Sequence, residues 1–123
     1  MTDGYRCMNI TEKTDEELLE IAKPWWEELI KYSNNKNYLM FIKNFSRSFR
    51  ASANEMELGK QFAHSDLAQN LSEKYEVLGT IRRGDYVTVL FKQYHKEKDG
   101  EWLGRLVLGY EEENIKIFGC TLF

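Results

Sequence analysis

Few side chains in this 123-residue sequence are placed to do chemistry. His64 precedes Ser65 and Asp66, three residue types that could relay a proton or attack an ester. A catalytic triad is made by geometry and not by adjacency, however, and the same run reads equally as a helix cap with a surface histidine. His95 is followed by Lys96, Glu97 and Lys98, the pattern of a solvated hairpin tip. A general acid or base needs a carboxyl group whose burial raises its pKa toward neutrality. The carboxylates of the C-terminal half fall at strand ends or in turns: Glu76, Asp85, Glu97, Asp99, Glu101 and the run from Glu111 to Glu113. Glu76 is the least implausible base among them, and no catalytic role is assigned to it. The cysteines, Cys7 and Cys120, and the two histidines occur at none of the usual metal-ligand spacings, so no metal is expected. No glycine-rich loop cradles a phosphate and no cofactor is expected.

The sequence offers more for binding than for reaction. Trp25, Trp26, Phe41 and Phe45 are spaced to line a pocket, or equally to fill a core. Arg105 stands between Leu103 and Val107 in a strand, where an isolated charge is costly to bury. It either anchors an anionic ligand in a cavity, stacks on Tyr94 as a cation–π pair, or pairs across a subunit boundary. Trp25, Trp26, Phe41, Phe45, Tyr94 and Arg105 are therefore the candidate ligand-binding residues. Lys43, Arg47 and Arg50, interleaved with Phe45 and Phe49, resemble a patch for single-stranded nucleic acid. A formal net charge of −3 argues against such a partner, which favours a basic excess.

The elements that must position these residues fall into two halves. Thr14 to Glu17 is a capping box, and Leu18, Ala22, Trp25, Leu29 and Tyr32 follow at helical spacing, widened by Trp26 and Ile30. Pro24 interrupts this helix and predicts a kink or a break. A short helix carries Tyr38, Phe41, Ile42 and Phe45. Residues 46–54 are ambiguous: Phe45, Arg47, Phe49 and Ala51 alternate with small polar residues, which permits a short strand, yet the apolar content is thin. Asn54 and Ser65 are potential caps of helices over Glu55–Phe62 and Asp66–Lys74.

Four runs then read as strands: Tyr75–Arg82, Tyr86–Lys96, Trp102–Tyr110 and Ile115–Phe123. Short turns at Arg83-Gly84-Asp85, Asp99-Gly100 and Glu111 to Asn114 make an antiparallel meander. A two-residue Asp99-Gly100 turn places Tyr94 opposite Arg105 and Phe91 opposite Leu108. One face then carries Leu78, Val87, Val89, Phe91, Leu106, Leu108, Tyr110, Ile115 and Ile117. The other carries Val77, Ile81, Tyr86, Leu90, Tyr94, Leu103, Arg105, Val107, Phe118 and Leu122. Both are apolar, whereas a sheet with one wet side alternates apolar and polar residues. Helices can cover one face; the second must meet another subunit, a ligand, or its own sheet by strong curvature. Gly79, Gly104, Gly109 and Gly119 inside the strands suggest bulges and bending.

At this length the chain is one α+β domain, residues 14–123, with N-terminal helices packed on a strongly curved antiparallel sheet and residues 1–13 a flexible arm. The first residues lack a signal peptide and no run of about 20 apolar residues occurs, so no membrane partner is expected. A lone pair of distant cysteines fits a reducing compartment, and the protein reads as cytoplasmic.

Thr14–Tyr32, Asn37–Phe45 and the hairpins Val87–Leu108 and Val107–Leu122 together resemble the nuclear-transport-factor-like, or cystatin-like, cone superfamily, which includes ketosteroid isomerase and the SnoaL-like proteins. The resemblance covers Thr14 to Phe123 and is one of architecture. It implies a bent sheet wrapped around helices to form a cavity, with the outer sheet face forming a homodimer. Isomerases of that group use an acidic base and an acid–tyrosine pair inside the cone, and this chain lacks a mid-strand carboxylate to match them. The expected function is thus a non-enzymatic homodimer with a cavity for a small apolar or weakly anionic molecule. Two alternatives stay open. One is an isomerase, dehydratase or hydrolase acting on a hydrophobic substrate through Glu76, His64 or His95; the other is an interaction module docking a partner on the Leu90–Tyr94–Arg105 face.

Overall fold

A computed structural model of the chain describes residues 9–54, 56, 57, 59, 60 and 67–123. Helix α1 spans Asp15–Asn34. Thr14 caps it reciprocally: the Glu17 amide donates to Thr14 Oγ1 at 3.1 Å, and the Thr14 amide donates to Glu17 Oε1 at 2.9 Å. Pro24 lies inside one continuous helix, so the break it suggested does not occur. Glu20 and Pro24 are both exposed, which leaves the carbonyl without a helical partner facing water. The buried stripe runs through Leu18, Ala22, Trp26, Leu29, Ile30 and Ser33. It centres on Trp26, and Trp25 and Tyr32 flank it half-buried.

Helix α2, Tyr38–Phe41, is capped by Asn37, and helix α3, Arg47–Ser52, by Ser46. The ambiguous stretch is therefore helical, although Phe45 just before it forms a parallel bridge to Ile117. Asn54 caps as expected, its Oδ1 accepting from the Glu57 amide at 2.9 Å, and residues 56, 57, 59 and 60 are helical. The expected arm does not extend to residue 13. Ile10–Glu12 form a short 3-10 helix whose Ile10 is fully buried. Arg82 holds this segment through the Thr11 and Lys13 carbonyls at 3.1 and 2.7 Å.

The sheet contains β1 (Leu71–Arg83), β2 (Tyr86–His95), β3 (Trp102–Glu111) and β4 (Asn114–Leu122), paired antiparallel in the order β1-β2-β3-β4. It is open, with the helices on one face, the α+β arrangement expected. The helix expected over Asp66–Lys74 does not form over 71–74. Asn70 takes a left-handed φ of 62°, which ends any helical run, and Leu71 starts β1. The proposed Ser65 cap and Asp66 lie outside the described residues.

The β2–β3 register differs from the two-residue turn. Leu90, not Tyr94, faces Arg105, and Gly104, not Leu108, faces Phe91. Residues 96–101 form a longer loop, in which His95 Nδ1 accepts from the Glu97 and Lys98 amides at 3.0 and 3.1 Å. Packing gives the reason. Trp26 stacks on Phe91 with ring centroids 4.6 Å apart, and a Cβ at Gly104 would lie 2.4 Å from the Trp26 ring. Only the glycine leaves room for both rings. The slip is by an even number of residues, so the side chains keep their faces.

Two bulges do exchange faces. The β1–β2 register shifts between Val77 and Gly79, which turns Val77 inward and leaves Leu78 52% exposed. The β3–β4 register shifts between Val107 and Leu108, which places Leu122 opposite Gly104 on the inner face. These correct the expected placements of Val77, Leu78 and Leu122. A bulge adds one residue to one strand and so reverses the alternation beyond it. The inner face, with Val87, Val89, Phe91, Leu106, Leu108 and Ile117, is buried against α1. On the outer face Leu90, Leu103, Val107 and Phe118 are half-buried, while Ile81 and Tyr86 are 44% and 42% exposed.

Candidate functional site

The second half of α1, with α2 and the end of β4, lines a half-open apolar cleft of about 110 Å³. Trp26, Leu29 and Ile30 form its helical wall and Phe41 comes from α2. Ala68 and Leu71 close it from the chain entering β1, and Cys120, Thr121 and Leu122 from β4. The i, i+3, i+4 spacing of Trp26, Leu29 and Ile30 sets these three on one side of the helix. Leu122 reaches the cleft because of the β4 bulge, and Trp26 is held flat against Gly104.

The polar atoms at the cleft are few. Trp26 Nε1 donates to Gln93 Oε1 at 2.8 Å, and Gln93 Nε2 donates to the Ser72 and Tyr94 carbonyls at 2.6 and 2.8 Å. Gln93 is fully buried, so its amide is tolerated because both ends find partners. Ser33 Oγ donates to the Ala68 carbonyl. Cys120 is a free thiol, and burial pushes its pKa up to about 12. It stays protonated near neutrality and is a poor nucleophile, since the thiolate is the reactive form.

Of the six candidate binding residues, Trp26 and Phe41 come together in this cleft. Phe45 lies in the core, edge-on to Phe41 and stacked on Phe49 at 4.3 Å. Trp25 flanks the core half-buried. Tyr94 and Arg105 sit on the opposite face of the sheet. Arg105 is exposed, with its guanidinium 5.8 Å from the Phe123 ring centroid, and so is neither a cavity anchor nor stacked on Tyr94. Tyr94 instead lies under Lys74 and donates its hydroxyl to Glu76 Oε2 at 2.6 Å. The bond holds the Glu76 carboxyl below its ordinary value and raises the Tyr94 hydroxyl to about 12. A base needs the opposite shift, and Glu76 is on the solvent side of the sheet.

His95 packs beside Trp102, with ring centroids 5.9 Å apart, and its Nδ1 is committed to the loop amides. His64 and Cys7 lie outside the described residues. Arg47 pairs with Glu112 at 2.7 Å, and Arg50 donates to the Ile42 and Lys43 carbonyls, so these cations serve local structure. Among the described residues no group of three or more His, Cys, Asp or Glu could hold a metal, and no helix is long and apolar enough to cross a membrane.

Sequence pattern did not single out Ser33 or Gln93, considered Cys120 only as a metal ligand and placed Leu122 on the outer face. For Gln93 a signal existed: it continues the inward row Val87, Val89, Phe91, where an amide has to be explained. No protein-family model matches the chain, and no curated protein matches it in sequence.

Proposed function

We propose that this chain is a non-enzymatic binding domain of the nuclear-transport-factor-like cone type, cytoplasmic and homodimeric, whose cleft takes a small hydrophobic group. The observation that carries the reading is the cleft itself, with Trp26, Leu29, Phe41, Leu71 and Leu122 around about 110 Å³. An apolar cavity of roughly 150 Å³ holds benzene, so this one suits a single ring or a short branched alkyl group. Among the described residues, Ser33, Thr121 and a protonated Cys120 bring polar side chains to its lining, and none is a charged acid or base. That supports binding over catalysis. Helices on one face of a bulged four-strand meander support the cone likeness, and the free thiol of Cys120 fits a reducing compartment. The half-buried outer face, with Leu90, Leu103, Val107 and Phe118, supports the dimer, as an uncovered apolar patch commonly marks an interface.

The binding reading is tested with benzene as the probe, followed by the NMR resonance of the Trp26 Nε1 proton. Saturable shifts there and at the Leu122 methyls are expected. A response that stays linear in benzene, or that spreads over the outer face, rules the cleft out as a binding site. Sedimentation at micromolar concentration checks the dimer, and a strictly monomeric species removes it.

A further inference from the structure

The corner where β2 passes into β3 is organised by an imidazole. His95 ends β2, opposite Leu71 of β1, and continues the inward row of Phe91 and Gln93. Its Nδ1 accepts the Glu97 amide at 3.0 Å and the Lys98 amide at 3.1 Å, so one ring nitrogen fixes the turn that leaves the strand. Trp102 starts β3 beside it, with ring centroids 5.9 Å apart, and a Cβ at Gly100 would lie 3.6 Å from that indole. The loop therefore rests on two rings, one of which also supplies its hydrogen-bond acceptor. The other ring nitrogen, Nε2, is buried and has no hydrogen-bond partner among the described residues.

A neutral imidazole has one donor and one acceptor nitrogen. Because Nδ1 accepts, the ring proton sits on Nε2, and a second proton can go only to Nδ1. That proton turns the acceptor into a donor facing two other donors, and both loop bonds are lost. The charged groups around the ring are Lys96, Glu97, Lys98 and Asp99 of its own loop, Glu101 ahead of β3, and Glu73 and Lys74 of β1. Glu27 and Lys31 of α1 share a polar hollow with Glu73 and Lys96. Glu101 pairs with Lys92 at 3.5 Å, Glu27 accepts the Tyr75 hydroxyl at 2.6 Å, and Lys74 lies over the Tyr94 ring. None of these groups bonds to Nε2, so no carboxylate compensates a charge on the ring. We propose that His95 is an acid-operated latch on the loop 96–101: the neutral ring holds the turn, and protonation at Nδ1 releases it. The released loop takes up a proton that the held loop excludes, so the two bonds are present at higher pH and lost as pH falls. The latch is independent of the apolar cleft. What it frees is Lys96, which lines the polar hollow, and Gly100, which packs on Trp102.

Solvent exchange of the Glu97 and Lys98 amides, followed by NMR from about pH 8 to 5 and corrected for the intrinsic pH dependence of exchange, tests the latch. The state of the ring is read in the same samples from its nitrogen resonances. Protection at both amides is expected to fall about tenfold as the His95 ring takes its second proton, the loss of one to two hydrogen bonds, while the Leu106 amide in the middle of β3 holds its protection. His95→Phe keeps a ring beside Trp102 and removes the acceptor, so low protection at every pH is expected. Protection that stays constant while the ring titrates overturns the latch. So does a His95→Phe variant that keeps the protection of the wild type, or loses it on acidification in the same way. Two outcomes in the wild type alone are equally fatal, whether or not the variant folds: a neutral ring that carries its proton on Nδ1, and a ring that stays neutral until the whole domain unfolds in acid.

Discussion

At position 104 a hydrogen atom stands where any other residue would place carbon inside the Trp26 ring. The built Cβ lies 2.4 Å from Cζ2 and 2.5 Å from Cη2, and both rings of the Trp26–Phe91 stack are buried. Neither ring can move without disturbing Gln93, which holds Trp26 Nε1. Gly104→Ala is therefore expected to lower stability by about 1–3 kcal/mol through overpacking, read from urea unfolding, and to shift the Trp26 Nε1 proton resonance. A neutral substitution would mean that Trp26 does not lie on this strand. The glycine was legible as a disturbance within a strand, but its cause was not. Which of Trp25 and Trp26 faces the sheet follows from the helix's rotation about its axis, and that is set by packing on Phe91, 65 residues away along the chain.

Elements whose ends are set by neighbouring residues were readable, and those set by distant side chains were not. Thr14 and Glu17 lie three residues apart and announce the start of α1; Asn54 announces the helical turn after it. The start of β1 depends on Asn34 and Gln93, which are remote in sequence, so 71–74 resembled a helix. The local case carries its own prediction. Thr14→Ala is expected to destabilise the domain by about 1 kcal/mol, the usual cost of losing an N-cap, in thermal or urea unfolding. The same site shapes the acid limb of stability. The Thr14 amide and hydroxyl hold the Glu17 carboxyl below its ordinary 4.5, and Arg82 and then Thr80 hold Asp15 below 3.8. Both folded-state values are depressed, so the ionised forms favour the fold. Their contribution is present above the ordinary carboxyl range and lost as pH falls below about 4 toward the folded values. Thr14→Ala keeps the amide that does most to hold the Glu17 carboxyl down, so the variant that tests this is Glu17→Gln: the wild type is expected to lose stability over that window more steeply than Glu17→Gln, and parallel pH profiles would show that Glu17 does not shape the acid limb.

For the whole molecule, the sheet poses the question that its own helices answer on one side only. Alternation along the strands already exposed two apolar faces, and even the slipped β2–β3 register preserved them because the slip was even. Gly79 and Gly119 marked the bulges that lie beside them at Leu78 and Phe118, but not the change of face beyond each, and the bulge at Phe118 moved Leu122 inward. What remains outside is a band of Leu90, Leu103, Val107 and Phe118, none of it deeply buried in the single chain. Tyr86 and Phe118 pack edge-on over Gly109 with centroids 5.1 Å apart, so the band is an ordered surface. Adjacent residues of β3 separate the two roles. Leu106 is fully buried on the inner face and Val107 is half-buried on the outer. Leu106→Asp puts an unpaired carboxylate in the core and is expected to abolish cooperative unfolding. Val107→Asp leaves the core intact, so a folded chain is expected by circular dichroism. Two such charges meeting across a face-to-face dimer repel and lose water, and sedimentation is expected to shift from dimer to monomer. A folded Val107→Asp that stays dimeric would show that the interface does not run through the Val107 side of this face.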